Sequence, residues 1–144
     1  MEGNLYLACL TDDDINNGFK FLRVNEIENY IIDTNEFNEV DKVLEARQFI
    51  KEFQTPFTKF QSDYIQVVML ASPEITKFFM KKKHLPSQEE KLLEDGSLQL
   101  TFYVASYMEI SILVKKWLPS LKLVEPEEWG NRLREELKTY LGTY

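Results

Sequence analysis

Large apolar residues occupy every second position from Leu98 to Val104, and this alternation constrains the fold more than any other feature of the chain. A period of two residues predicts a β-strand with one face in a core. Asp95-Gly96 comes just before it and predicts a tight turn, because glycine accepts a positive φ without steric cost. Ser106 and Glu109 then have the spacing of a capping box, so a helix should follow the strand.

The residues from Tyr64 to Val124 extend this pattern into a complete domain. The apolar run up to Ala71 predicts a strand buried on both faces, and Ser72-Pro73 predicts the start of a helix. A polar strand over residues 88–94 leads into the turn, so the order is β-α-β-β-α-β, the ferredoxin-like pattern. A final helix carries an apolar stripe. The stripe consists of Trp129, Leu133, Leu137 and Leu141.

The N-terminal third of the chain is typical of β-structure. Strands are predicted at Leu5–Leu10, Phe19–Val24 and Ile27–Asp33, separated by residues that favour loops. Three strands within about 30 residues indicate an antiparallel meander. The meander should have an exposed edge at Leu5–Leu10, and an uncovered edge is a pairing surface. We therefore expect a homodimer that covers this edge.

After Thr34 the apolar spacing changes to three and four residues, which predicts an amphipathic helix ended by Pro56. This helix is interpreted as a linker between two halves. The predicted class is α+β, with a partial SH3/Sm-like antiparallel β-meander, a linker helix and a ferredoxin-like domain. The predicted boundaries are 1–35, 36–61 and 62–144.

Charge and composition exclude several classes of function. The net charge is −7, of which −6 lies in residues 1–62, and the isoelectric point is about 4.8. Such acidity argues against a chain that grips duplex DNA. No apolar run approaches the roughly 20 residues of a membrane span. The single cysteine, Cys9, cannot form an intrachain disulfide, which favours the cytoplasm.

Candidate catalytic and metal-binding groups are sparse. His84 is the only histidine and has no second histidine or cysteine with which to share a metal, and Asp12-Asp13-Asp14 lacks the spacing of a calcium loop. No serine follows a glycine elbow, and Cys9 sits in an apolar strand where a thiol is usually inert. We therefore expect no enzyme, cofactor or metal.

With these elements placed, the whole chain resembles the C-terminal part of bacterial WYL-domain transcriptional regulators. Leu5-Tyr6-Leu7 is similar to the triplet that names the family, and Phe19–Ile27 is similar to the strand that follows it. A further set of segments resembles the extension that follows the WYL domain in this family. They are Asp95-Gly96-Ser97, Leu100-Thr101-Phe102, Trp117-Leu118 and Val124-Glu125-Pro126, with Arg134 and Leu137.

The resemblance implies a sensor region that binds a nucleic acid or a small anionic ligand and passes this signal to a DNA-binding half. The implied ligand-binding residues are Tyr6, Lys20 and Arg23. Glu26 stands where the family has arginine and Leu5 where it has tryptophan, so we expect altered anion affinity. The family's winged-helix domain and first barrel strands would lie upstream of Met1, in a longer protein from which this chain is either an expressed fragment or a truncation.

Plainer interpretations stand beside these. Lys20 and Arg23, three residues apart in a strand, should point to opposite faces and could both be solvated surface residues. Tyr6 could be a core residue. The alternative function is a protein-interaction or oligomerisation module whose ligand site has decayed. In either case DNA would be contacted only through the missing winged-helix domain, and no membrane is involved.

Overall fold

A computed structural model of the chain describes residues 5–35 and 38–143. The described residues form an α+β structure with four α-helices and two antiparallel sheets. The chain divides into two compact units, residues 1–62 and residues 63–144, which are called here the first and the second unit. Each has its own hydrophobic core.

The first unit contains a β-hairpin. Strands β1 (Tyr6–Leu10) and β2 (Phe19–Arg23) pair antiparallel, with Tyr6 opposite Arg23 and Leu10 opposite Phe19. The loop between them closes at Gly18, whose φ of 78° lies in the left-handed region. A Cβ atom at Gly18 would come within 2.2 Å of the carbonyl oxygen of Thr11, so the turn requires glycine.

Helix α1 (Val40–Glu52) packs on this hairpin. Ala46 and Phe49 on the helix are buried together with Phe19 and Phe60. The ring centroids of Phe19 and Phe49 lie 4.9 Å apart in an edge-to-face arrangement, a favourable geometry for aromatic pairs. The helix interpreted as a linker between two domains is therefore part of the core of the first unit.

The prediction of a third strand at Ile27–Asp33 is wrong. A short 3-10 turn at Val24–Glu26 follows β2, and residues 27–34 have no regular secondary structure. Only a two-stranded hairpin forms, so the described residues contain neither the three-stranded meander nor a barrel. The physical reason is that β-propensity is realised only against a neighbouring strand, and no strand among the described residues pairs with the segment.

The second unit has the predicted order of elements, which are β3 (Ile65–Ala71), α2 (Pro73–Lys81), β4 (Glu89–Leu92), β5 (Leu98–Val104), α3 (Tyr107–Lys116), β6 (Leu121–Glu125) and α4 (Glu127–Gly142). The strands form one sheet in the order β4-β5-β3-β6, and every neighbouring pair is antiparallel.

Alternate residues of β5 enter the core, as the alternation from Leu98 to Val104 predicts. Strand β3 differs from its prediction. Val67, Met69 and Ala71 are buried, whereas Val68 and Leu70 on its other face are partly exposed. The reason is that α2, α3 and α4 contribute their buried side chains to the core on one face of the sheet only.

The predicted capping box is confirmed at the start of α3. The backbone N–H of Ser106 donates a hydrogen bond to Oε1 of Glu109 at 3.2 Å, and that of Ala105 donates to the same oxygen at 2.7 Å. The last helix buries Leu133 and packs Trp129 and Leu137 against the core, while Leu141 is exposed. The apolar stripe therefore contacts the core over its first three members.

Candidate functional site

Tyr6 and Arg23, two of the three residues predicted to bind a ligand, lie side by side in the first unit. They are opposite each other at one end of the hairpin, where β1 begins and β2 ends. Nε of Arg23 donates a long hydrogen bond to the hydroxyl of Tyr6 at 3.4 Å. This bond is the largest cause of a raised Arg23 pKa, so the guanidinium is held in its charged form.

The pair lines an open cavity of about 480 Å³. Its other walls come from β2 and from the 3-10 turn that follows it. They are Phe21, Leu22, Glu26 and Ile27. The lining is mixed, with aromatic and aliphatic side chains beside one cation and one anion. Such a combination suits a ligand that has both a flat apolar part and a charged group.

Glu26 already occupies part of the binding capacity of Arg23. Its Oε1 lies 3.3 Å from Nη1 of Arg23, and both side chains are at least half exposed. An exposed ion pair of this kind contributes little to stability. It does, however, place a carboxylate where an anionic ligand would approach. The geometry therefore gives a physical basis for the expectation that Glu26 alters anion affinity.

Lys20, the third predicted residue, lies elsewhere. It pairs with Cys9 in the hairpin and alternates with Phe19 and Phe21, so its side chain is on the opposite face from Arg23. Its Nζ forms a salt bridge with Asp13 in the loop between β1 and β2. The hydrogen bond that Lys20 donates in this salt bridge is the main cause of a lowered Asp13 pKa. Lys20 thus stabilises the loop and does not reach the cavity.

A second cavity of about 390 Å³, which sequence reasoning missed, lies between β1 and α1. Its walls are mostly apolar, with Arg47 as the charged member. The lining residues are Ala8, Cys9, Leu10, Phe19, Val43, Ala46, Arg47 and Ile50. The signal in the sequence was the apolar stripe of α1. Because this helix was interpreted as a linker, no surface was predicted to pack against the stripe.

In the second unit, the ionisable groups with partners act structurally. Glu136 on α4 binds Lys115 of α3 at 2.7 Å and accepts a hydrogen bond from the Tyr107 hydroxyl at 3.1 Å.

Nε2 of His84 and Nε1 of Trp117 are buried with no hydrogen-bond partner. Burial, followed by Lys116 and Lys82, lowers the His84 pKa, so the ring favours its neutral form.

The described residues offer no group of three or more histidine, cysteine or carboxylate side chains that could hold a metal ion. None of their helices is both long enough and apolar enough to cross a lipid bilayer.

In comparisons with known proteins, the chain matches no protein-family model and has no significant match to a curated protein sequence.

Proposed function

We propose that this chain is the effector-sensing and dimerisation region of a bacterial transcriptional regulator of the WYL-domain type, with a cytoplasmic location and no catalytic role. The effector is a nucleotide or a single-stranded nucleic acid. The observation that carries the proposal is the juxtaposition of the Tyr6 ring and the Arg23 guanidinium at the cavity between β2 and the following turn. The order and spacing of the residues that resemble the family support the same conclusion.

The chemistry of the pair fits that ligand class. A guanidinium binds phosphate oxygens through two parallel N–H groups, and it can also stack on a base. An aromatic ring adjacent to it provides a stacking face, which contributes about 1–3 kcal/mol per base in single-stranded complexes. Phe21 adds a second aromatic wall to the cavity. Because this binding depends on attraction between the Arg23 guanidinium and an anion, it should be strongest at low salt, where that attraction is least screened.

The second unit is proposed to be a ferredoxin-like domain. In chain order, β3, β4, β5 and β6 correspond to the first, second, third and fourth strands of a β-α-β-β-α-β unit. Their order in the sheet places the third and first strands in the centre and the second and fourth at the edges, all antiparallel. This arrangement supports the ferredoxin-like assignment and the comparison with the extension that follows WYL domains.

The alternative function is a protein-interaction or oligomerisation module whose ligand site has decayed. The ion pair between Arg23 and Glu26 favours it, since part of the cation's capacity is taken within the chain. The exposed apolar residues of the first unit, such as Leu5, Tyr30 and Ile31, favour it as well. Under this alternative the cavity would bind no nucleotide, while association between chains would remain.

A titration distinguishes the two functions. A labelled single-stranded oligonucleotide and a panel of linear and cyclic nucleotides would be titrated against the protein at low salt. We expect Arg23→Ala to weaken binding at least tenfold, or about 1.4 kcal/mol. Glu26→Gln should strengthen it, because the competing carboxylate is removed. Lys20→Ala is the matched control, since it removes a cation from the same strand but from the opposite face.

Binding by the native protein that Arg23→Ala leaves unchanged would refute the site assignment. The absence of binding to every probe, with Glu26→Gln also inactive, would refute the sensing function and leave the interaction module.

A further inference from the structure

A short apolar stretch of the first unit is almost fully exposed. The side chains of Tyr30, Ile31 and Ile32 are 81%, 96% and 81% accessible to solvent. They lie in residues 27–34, which have no regular secondary structure although their sequence has the β-branched and aromatic composition of a strand. Three consecutive exposed residues of this type are costly in water, so they indicate a surface that binds another apolar surface.

The hairpin has an unpaired edge that can accept a strand. Two bonds fix which residues face β2, because the N–H of Val24 donates to the carbonyl of Leu5 and the N–H of Thr11 donates to that of Gly18. The alternate positions therefore direct their backbone groups away from β2. These positions are Tyr6, Ala8 and Leu10. Within the part of the chain that the structure describes, their backbone groups have no hydrogen-bond partner.

Apolar surface lies on both faces of this edge. On one face is the cavity of about 390 Å³, to which β1 and α1 contribute all of the lining residues except Phe19. On the other face Leu5, Leu7 and Leu22 are exposed to 73%, 49% and 42%. A strand added here would need apolar side chains at consecutive positions, because neighbouring residues of a strand point to opposite faces. Residues 30–32 have this property.

We propose that residues 28–33 of one copy add as a third strand to the free edge of β1 in a second copy. Tyr30 and Ile32 enter the groove between β1 and α1, and Ile31 covers Leu7 and Leu22. Reciprocal exchange of the segment produces a two-fold dimer in which the free edge of β1 is covered in both copies. The interaction is β-augmentation, in which backbone hydrogen bonds supply affinity and side-chain pockets supply register.

Charge supports a second copy as the occupant. The segment carries Glu28 and Asp33 on either side of its apolar residues. The groove that receives it has Arg47 as its charged lining residue. An acidic strand beside a groove with one guanidinium is complementary in charge. The inference rests on the dimerisation part of the proposed function, and its surface shares Tyr6 and Leu22 with the lining of the ligand cavity.

Sedimentation velocity over a range of concentrations tests the dimer. We expect the native chain to form a dimer of its 17.1 kDa protomer, and Ile31→Asp to weaken dimerisation at least tenfold. Because Ile31 is 96% exposed, the substitution should not unfold the protomer. Ile15→Asp is the matched control, since this isoleucine is also largely exposed but lies outside the segment. Its dimer should have the native affinity.

A cross-link shows whether the strand is exchanged between copies. Cys9 is the only cysteine. Although it borders the groove between β1 and α1, it alternates with Ala8 and Leu10, so its side chain points to the face that Ile31 would cover. Under oxidation, Ile31→Cys should give a covalent dimer, while Tyr30→Cys, on the other face, should not. A cross-linked monomer, or a dimer that Ile31→Asp leaves intact, overturns the exchange but not dimerisation. A native chain that is monomeric at millimolar concentration overturns both, and the nucleotide titration remains an independent test of sensing.

Discussion

The hydroxyl of Tyr107 donates a hydrogen bond of 3.1 Å to Oε2 of Glu136 and thereby joins the start of α3 to α4. The same carboxylate binds Lys115 at 2.7 Å and Arg132 at 3.1 Å. Burial, assisted by Glu136, raises the pKa of Tyr107 to about 12. Lys115, followed by Arg132 and Tyr107, lowers the pKa of Glu136 against the opposing effect of burial. The network stabilises the packing of the last helix.

Acid should weaken this contact. Because the Glu136 pKa is lower in the folded chain than in the unfolded chain, the carboxylate contributes stability above its unfolded pKa and loses that contribution as the pH falls through its folded pKa. We expect Glu136→Gln to lower the free energy of unfolding by about 1 kcal/mol at pH 7, and the difference from the native chain to shrink below about pH 4. Urea unfolding between pH 3 and pH 7 measures both effects.

Glu135→Gln is the control for this experiment. Glu135 forms an exposed ion pair with Lys138, which is worth little in water. A loss of stability at pH 7 that is equal in the two variants would contradict a specific role for Glu136.

Ionisation of Tyr107 provides a second check. Since the folded chain holds the proton of Tyr107 more tightly than the unfolded chain, stability should decline between about pH 10 and pH 12.

Gly18→Ala should destabilise the first unit. The residue has φ of 78°, and a Cβ atom would lie 2.2 Å from the Thr11 carbonyl oxygen, which is backbone and cannot move away cheaply. We expect a loss of about 1–3 kcal/mol, measured by thermal or urea unfolding.

Gly142→Ala is the matched control for Gly18→Ala. Gly142 ends α4, and nothing lies within 4 Å of the position its Cβ would take. Since alanine has the higher helix propensity, Gly142→Ala should be neutral or slightly stabilising. Equal effects of the two substitutions would show that the turn does not depend on Gly18.

Gln88→Ala should destabilise the second unit by about 1–3 kcal/mol. The Gln88 side chain is buried, accepts a hydrogen bond from the N–H of His84 at 2.8 Å and donates one to the carbonyl of Phe79 at 3.1 Å. Alanine would leave both backbone groups unpaired. Gln66→Ala, at an exposed position of β3, is the control. Hydrogen exchange should show faster exchange at His84 in the Gln88 variant alone, and its absence would contradict this account.

The parts of the fold that local patterns determine were predictable from the sequence. Alternation placed β5, and the Ser106 and Glu109 spacing placed the start of α3, because both signals act within a few residues. Features that depend on distant partners were not predictable. Gln88 was assigned to a polar strand, yet it is buried because Phe79 and His84 offer it hydrogen bonds.

The first unit shows the same division. The strand composition of Ile27–Asp33 was recognised, but pairing needs a neighbouring strand, and the part of the chain that the structure describes supplies none there. For the candidate site, strand periodicity correctly placed Lys20 and Arg23 on opposite faces. The contact of Tyr6 with Arg23 depends on the register of the hairpin, and the contact of Arg23 with Glu26 depends on the 3-10 turn. Neither could be derived from the spacing of residues alone.

Salt should affect ligand binding and dimerisation in opposite directions. The two copies of the first unit each carry a net charge of −6 in residues 1–62, so their repulsion opposes association and is reduced as the Debye length falls from about 30 Å at 0.01 M to about 8 Å at 0.15 M. Dimerisation by apolar strand exchange should therefore strengthen across this range. Nucleotide binding at Arg23 depends on attraction between opposite charges and should weaken.

Dimerisation and nucleotide binding should both be measured on one preparation at the two salt concentrations. The comparison separates the effect of charge repulsion between copies from the effect of charge attraction at Arg23. The Arg47→Gln variant refines the comparison, because it removes the one cation of the groove and should weaken dimerisation most at 0.01 M, where its attraction to the acidic segment is least screened. Dimerisation that weakens as salt increases in the native chain would show that charge attraction, rather than burial of Tyr30, Ile31 and Ile32, holds the two copies together.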